Sequence, residues 1–334
     1  MASRRSNLRF GVLGTALIAT KVAQAIHKAK GASLAAIASR TAAKARSWAA
    51  RHDCPKWFGS YEALLDDPDV DVVYVPLPNS MHHEWTIRAA EKRKHVLCEK
   101  PIAASLSQAI EMTDACRACG VQFMDGVMWV HHARAARFRS VLDKGALGKL
   151  RRVTSAFTFC WEKFPKDDIR LKPELAGGSL GDLGWYCIRA TTFVFGSPPR
   201  EVWATARWRN SVDVNVSAVL WYDGDRIASF DCGFDTVMRQ WFEAAGTRGS
   251  LVCDDFVLPH SVEAARFWIH DGSGKKHKEH VVRGCDQVVC MIEDFAAAVR
   301  SGRLNAQWPA DAVETMRVCE AVQKAARTES RVSL

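Results

Sequence analysis

No apolar run in this chain approaches the ~20 residues needed to cross a bilayer, so no membrane partner is expected. A paired-cysteine framework is lacking too. The 11 cysteines are scattered, and a chain of 334 residues buries enough core without disulfide staples. Cys116 and Cys119 form the only CxxC, and no second pair completes the four ligands of a zinc site. They read as residues near a helix end, and no metal is expected. Basic–aromatic alternation is absent, which argues against a nucleic-acid partner. The densest basic run, Lys275-Lys276-His277-Lys278, follows Asp271-Gly272-Ser273-Gly274 and reads as a solvated hairpin tip. Residues 2–7 carry a twin arginine but no apolar signal core. They read as a short disordered lead on a cytoplasmic protein. The net charge of +9 suits an anionic ligand.

The length points to two domains, 1–126 and 127–334. The first half alternates apolar runs with helical patterns. Strands are expected at 8–13, 33–38, 57–58, 70–75, 96–100 and 121–124. Helices are expected at 22–28, 42–52, 59–65, 83–92 and after Pro101 to Cys119. The connections are long enough for parallel pairing, which makes an α/β domain with an open parallel sheet. Ligands bind such sheets beyond the carboxyl ends of the strands.

Four stretches fall at that edge. Gly14-Thr15-Ala16-Leu17-Ile18-Ala19 joins the first strand to the first helix. Set against GxGxxG, it keeps the turn glycine and replaces the other two with Ala16 and Ala19. Small residues there let a pyrophosphate approach the backbone and the helix start. The pattern also occurs in ordinary turns; its place between strand and helix gives it weight. The second strand ends in Ser39-Arg40-Thr41, with Lys44 one turn on. A carboxylate at that position would hold ribose hydroxyls and repel a 2′-phosphate. Its absence, with Arg40 and Lys44 present, favours NADP over NAD. The third stretch, Pro76-Leu77-Pro78-Asn79-Ser80-Met81-His82, brings Leu77, Pro78, Asn79 and His82 to the same edge. Val96-Leu97-Cys98-Glu99-Lys100-Pro101 brings Glu99 and Lys100.

The second half reads as mostly sheet. A linker and helix fill 127–150, and strands are expected at 153–161, 202–208, 212–222, 226–234, 240–246, 250–253 and 265–270. Helices are expected at 290–299 and 310–326. A helix beginning near Leu180 would put Asp182 and Tyr186, four apart, on one face. That pair also fits a core aromatic with a local cap. Trp129, Trp161 and Trp185 sit beside these residues, and each reads either as core or as the wall of a sugar pocket.

Glu99-Lys100-Pro101, Pro78-Asn79-Ser80-Met81-His82 and the glycine turn at Gly14 resemble the glucose–fructose oxidoreductase (Gfo/Idh/MocA) family. The similarity is greatest to the branch with NADP-dependent D-xylose dehydrogenase and dimeric dihydrodiol dehydrogenase. The resemblance implies a Rossmann domain followed by an α+β domain with a large open, mostly antiparallel sheet. It also implies a homodimer or higher oligomer through that sheet. Arg170 and Tyr186 match the branch, where Tyr replaces the more usual His. The implied activity is NADP-dependent hydride transfer at a CH–OH carbon of a sugar or polyol, with Lys100, Tyr186 and Asp182 catalytic. Which of Lys100 and Tyr186 takes the proton stays open. The implied cofactor contacts are Gly14, Thr15, Ala16, Leu17, Ile18, Ser39, Arg40, Lys44, Leu77, Pro78, Asn79, His82, Glu99 and Lys100. The implied substrate contacts are Lys100, Trp129, Trp161, Arg170, Asp182 and Tyr186. A non-catalytic NADP-binding regulator on the same fold and a trans-dihydrodiol dehydrogenase are the alternatives.

Overall fold

The computed structural model describes residues 7–284 and 286–334, so the lead expected at 2–7 lies outside the described residues except for Asn7. Contacts divide the chain into two units. The first runs through His131 and takes up Asp286–Val313 again. The second holds 132–284 and Glu314–Leu334.

The first unit follows the expected alternation. Its elements are β1 (Leu8–Leu13), α1 (Leu17–Lys28), β2 (Ala32–Ala38), α2 (Ala42–Arg51), β3 (Lys56–Phe58), α3 (Tyr61–Leu65) and β4 (Val72–Val75). Then come α4 (His82–Glu91), β5 (His95–Cys98), α5 (Leu106–Ala118) and β6 (Phe123–Asp125). The six strands lie in the order β3-β2-β1-β4-β5-β6, all parallel. Every residue of β4 is buried, as a strand covered on both faces requires. The order reverses between β1 and β4, so the chain leaves these neighbouring strands in opposite directions and opens a crevice at their carboxyl ends.

In the second unit α6 (Ala133–Asp143) leads to β7 (Leu150–Cys160), and α7 (Trp185–Phe195) precedes the remaining strands. These are β8 (Glu201–Arg209), β9 (Val212–Tyr222), β10 (Arg226–Gly233), β11 (Asp235–Gly246), β12 (Gly249–Cys253), β13 (Ala265–Asp271), β14 (His277–Val282) and β15 (Val332–Ser333). They form one nine-stranded sheet, β14-β13-β12-β11-β7-β10-β9-β8-β15. Only the β7–β10 pairing is parallel. Along β8, buried Val202 and Ala204 alternate with exposed Trp203 and Thr205, the period-two pattern of a half-buried strand. On α6, Phe138 sets its ring edge-on to Phe242 and Phe267. Arg134 of the same helix is buried, where it pairs with the Asp255 carboxylate and donates to the Asp255 and Arg266 carbonyls. Removing either partner would leave an uncompensated buried charge.

Two strands depart from the expectations. β14 begins at His277, so only Lys275 and Lys276 of the basic run lie in the turn. Its residues are mostly polar and exposed because it is an edge strand, and this hides it from a hydrophobic pattern. β15, two residues long, pairs only with β8.

The boundary also differs from 126/127. Residues 127–131 and the helix α8 (Gln287–Arg300) stay with the first unit. Phe295 of α8 packs on Phe10 of β1 and stacks with Trp308 at the start of α9 (Gln307–Thr328). Asp294 accepts a 2.7 Å hydrogen bond from His131 Nδ1. His132, the next residue, caps α6 by accepting from the Arg134 N–H. The two histidines are thus structural, each fixed within its own unit. Cys116 is buried in α5 and Cys119 ends it, both as free thiols.

Candidate active site

The crevice of the first unit is a cleft of about 530 Å³ lined by Gly14, Thr15, Ala16, Ser39, Arg40, Thr41, Lys44, Tyr61, Pro76, Leu77 and Pro78. Gly14 turns the chain with φ +89°, and a Cβ there would lie 3.0 Å from the Leu77 side chain. Ala16 is the N-cap of the 12-residue α1 and offers no side-chain cap, which leaves the first N–H groups of that helix to a ligand. Ser39 is buried; Arg40 and Lys44 are exposed at the rim. The Thr41 hydroxyl caps α2 by accepting from the Lys44 N–H. Among the described residues no carboxylate lines the cleft, and two cations do. The residues therefore fit a ligand with phosphates at both the Gly14 turn and the Arg40–Lys44 side. Leu17 and Ile18 open α1 beside the cleft, and Leu17 is 94% exposed. Thr41, Tyr61 and Pro76 line the cleft without having been anticipated. Thr41 could have been found from its capping position between strand and helix.

Asn79, Glu99 and Lys100 stand beyond that lining, at the ends of β4 and β5. Glu99 anchors its own loop. Its Oε1 accepts from the Tyr74 hydroxyl at 2.6 Å and its Oε2 from the Lys100 N–H at 3.3 Å. Burial raises its carboxyl above the usual range, while Lys100 and the Tyr74 bond pull the other way. The Lys100–Pro101 peptide bond is cis. His82 requires a correction: it is fully buried, not a cofactor contact. Its Nδ1 lies 2.8 Å from the Pro101 carbonyl and its Nε2 2.8 Å from the Leu77 carbonyl. It bridges the loop after β4 to the loop after β5. Trp129 is likewise corrected. It lies 2% exposed within a 3-10 turn of the first unit, so it is core and not the wall of a sugar site. Trp185 is also core.

In the second unit the anticipated helix begins differently. Leu180–Gly184 forms a π-helical turn, and α7 proper starts at Trp185. Gly178 precedes it with φ +134°, a conformation for which glycine is suited, and a Cβ there would meet the Asp213 carboxylate. Asp213 is buried and accepts from the Ser179 hydroxyl at 2.8 Å and the Leu180 N–H at 2.7 Å, which fixes the turn. Burial pushes its carboxyl up to about 6, and those hydrogen bonds oppose the rise. Asp182 receives Arg170: Nε to Oδ2 is 3.0 Å. The Arg170 guanidinium lies 5.7 Å from the Phe159 and Trp161 rings, and a second carboxylate, Asp168, stands 3.5 Å away. Trp161 completes an aromatic cluster with Phe159, Phe164 and Phe234. Tyr186, 4% exposed, sets its ring against Phe157. Sequence spacing pairs Asp182 with Tyr186; it does not reveal that Asp182 is held by Arg170, 12 positions earlier in the chain.

A parallel dinucleotide-type sheet followed by an open mixed sheet, with these motifs at the strand ends, defines the class. The chain belongs to the Gfo/Idh/MocA oxidoreductase family. Residues 8–127 match its oxidoreductase domain with NAD-binding Rossmann fold, and 135–252 match its C-terminal domain. The chain is 35% identical to D-xylose 1-dehydrogenase (NADP(+)) 2 of Haloferax volcanii, over 98% of this chain and 100% of that protein. A 3-ketoreductase from Actinomadura kijaniata, in complex with NADP and TDP-benzene, superposes with a TM-score of 0.89. It is 30% identical, over 96% of this chain and 98% of that one. An aldose–aldose oxidoreductase from Caulobacter crescentus, complexed with glycerol, gives a TM-score of 0.88 at 27% identity, over 98% and 100%.

Proposed function

We propose that this protein is an NADP-dependent oxidoreductase that moves a hydride between nicotinamide and a CH–OH carbon of a neutral sugar or polyol. The observation that carries the reading is the carboxylate-free cleft, with Arg40 and Lys44 beside Ser39 at the end of β2. The names of the D-xylose dehydrogenase and the ketoreductase complex support the cofactor. Gly14, Thr15 and Ala16 would hold the pyrophosphate, and Ser39, Arg40 and Lys44 the 2′-phosphate. When bound, the dinucleotide supplies the hydride-accepting carbon.

The proton is the task of this chain. In the proposed reaction Lys100 donates to the substrate oxygen and stabilises a developing alkoxide. Tyr186 accepts or relays the hydroxyl proton. A free tyrosine titrates near ~10, so it needs a neighbouring positive charge to act near neutrality. Asp182, paired with Arg170, accepts a hydrogen bond from a second substrate hydroxyl. Trp161 and Phe159 offer aromatic faces to sugar C–H groups. A neutral substrate is favoured over a phosphate-bearing one because Arg170 already faces two carboxylates, Asp168 and Asp182. The charge of Arg170 itself is therefore already matched and is not offered to an anionic substrate.

The test is absorbance at the nicotinamide band, with NADP or NAD and a panel of pentoses, hexoses, cyclic diols and nucleotide-activated sugars. NADP reduction by a free sugar is expected. Tight NADPH binding with no turnover across the panel would overturn the enzyme reading in favour of a cofactor-binding regulator. Turnover of nucleotide sugars alone would overturn the argument from Arg170.

A further inference from the structure

Tyr61 is the residue of the cleft that no motif accounts for. It opens α3 directly after β3, with Ser60 capping the helix through the Ala63 N–H. The ring is only 7% exposed. It is held edge-on against Trp85 at 4.8 Å, and the Arg88 guanidinium covers the Trp85 ring at 4.9 Å. The ring is thus fixed by packing alone. Its hydroxyl reaches the cleft wall beside the glycine turn, 3.6 Å from where a Cβ of Gly14 would stand. Among the described residues it has no hydrogen-bond partner. The ring is buried while the hydroxyl faces the cleft, where a bound ligand can meet it.

We infer that the Tyr61 hydroxyl is a cofactor-binding donor, reaching the adenosine half of the dinucleotide between the pyrophosphate turn at Gly14 and the 2′-phosphate side at Arg40. Four features support this. The hydroxyl is fixed in direction, because the ring is clamped from its edge. It lines the same cleft as the Gly14 turn and Arg40. Burial raises its pKa above the ordinary tyrosine value, against the pull of Arg40, so it remains a neutral donor and does not turn into an anion that would repel phosphate. Its aromatic ring also gives the cleft a rigid wall with little rotamer entropy to lose on binding. The inference rests on the proposed use of NADP by this chain.

Isothermal titration of the full chain tests it without any turnover. The probes are NADPH and adenosine 2′,5′-bisphosphate, which keeps the phosphorylated ribose and lacks the nicotinamide half. Tyr61→Phe keeps the ring and its packing on Trp85. It is expected to weaken both probes by roughly 10-fold and by the same factor, with the melting temperature of the unliganded protein unchanged. Arg40→Ala serves as the reference for cofactor binding. If Arg40→Ala weakens NADPH while Tyr61→Phe leaves both dissociation constants alone, the Tyr61 inference fails and the cofactor reading stands. If Tyr61→Phe weakens NADPH but not the bisphosphate, the hydroxyl serves the other half of the molecule and the inference also fails. A wild-type protein that binds neither probe overturns the cofactor reading itself, and Tyr61 with it. A fall in melting temperature with unchanged affinities would assign the hydroxyl to the fold and overturn the inference.

Discussion

The two units build their binding chemistry in opposite ways. The cleft of the first unit combines backbone, in a glycine turn and the start of α1, with two cations on the rim that have no ion pair among the described residues. The proposed substrate region of the second unit is made of side chains, with Arg170 matched between Asp168 and Asp182 beside the Phe159 and Trp161 rings. Surplus positive charge and free N–H groups suit a polyanion. Matched charges beside aromatic faces suit a neutral polyhydroxyl molecule, which needs directed hydrogen bonds and apolar contact more than a net field. Under the proposed function, the first unit takes the charged cofactor and the second an uncharged substrate.

The largest effect that would sharpen this comparison is at Lys100. Lys100→Met should lower kcat by about 10³-fold or more with NADPH affinity preserved, measured by initial rates and by titration. Tyr186→Phe should cost about 10²-fold in kcat on the same substrate. Near-normal rates in both variants would break the division of labour. Next in size is Ser39→Asp, which puts a carboxylate beside Arg40. It should weaken NADPH by roughly 10- to 100-fold and spare NADH, read as a ratio of dissociation constants. An unchanged ratio would move the 2′-phosphate away from β2. Arg170→Met should raise KM for the sugar by about 10-fold with little change in cofactor affinity. A gain in turnover of a nucleotide-activated sugar would break the neutral-substrate side of the comparison.

The smallest effect is on stability, and it has opposite signs in the two units. Burial lowers His82 from its ordinary 6.5 to about 4; the Pro101 and Leu77 carbonyls resist this, and Lys100 adds to it. The unfolded chain therefore takes up that proton first, and stability falls as pH drops from about 6.5 to about 4. Asp213 rises from 3.8 to about 6, so there the folded chain holds the proton. Its contribution falls as pH rises from about 4 to about 6 and then levels off. Melting temperatures across that range should shift by a few degrees. His82→Gln should remove the acid-side loss, and Asp213→Asn the loss on rising pH. Unchanged slopes in either variant would show that the group does not titrate with folding.

Much of the first unit was legible because its chemistry is local. β4 reads as Val72-Val73-Tyr74-Val75, all apolar, because a central parallel strand is covered on both faces. Gly14, Ser39, Arg40 and Lys44 could be placed at one edge because each follows a strand directly, and strands in a parallel sheet end together. His82 misled for a related reason. Its position in the chain is correct, but only the packing shows that its ring turns inward to two carbonyls. Trp129 misled similarly, since neighbourhood in sequence says nothing of whether a large ring faces the core or a site. In the second unit the long alternating strands were visible, whereas β14 and β15 were not. An edge strand and a two-residue strand bury too little to leave a pattern.

By itself, the sequence determined the alternation of strands and helices, the turn that requires Gly14, and the lack of a carboxylate after β2. These follow from period, backbone freedom and charge, which act over a few neighbouring residues. The tertiary structure alone decided that Asp286–Val313 returns to the first unit and that Arg170 is matched by Asp182. It also decided that His82 is buried against two carbonyls and that Tyr61 lines the cleft. Each of these depends on groups distant in the chain meeting in space, and no local pattern of residues encodes such a meeting.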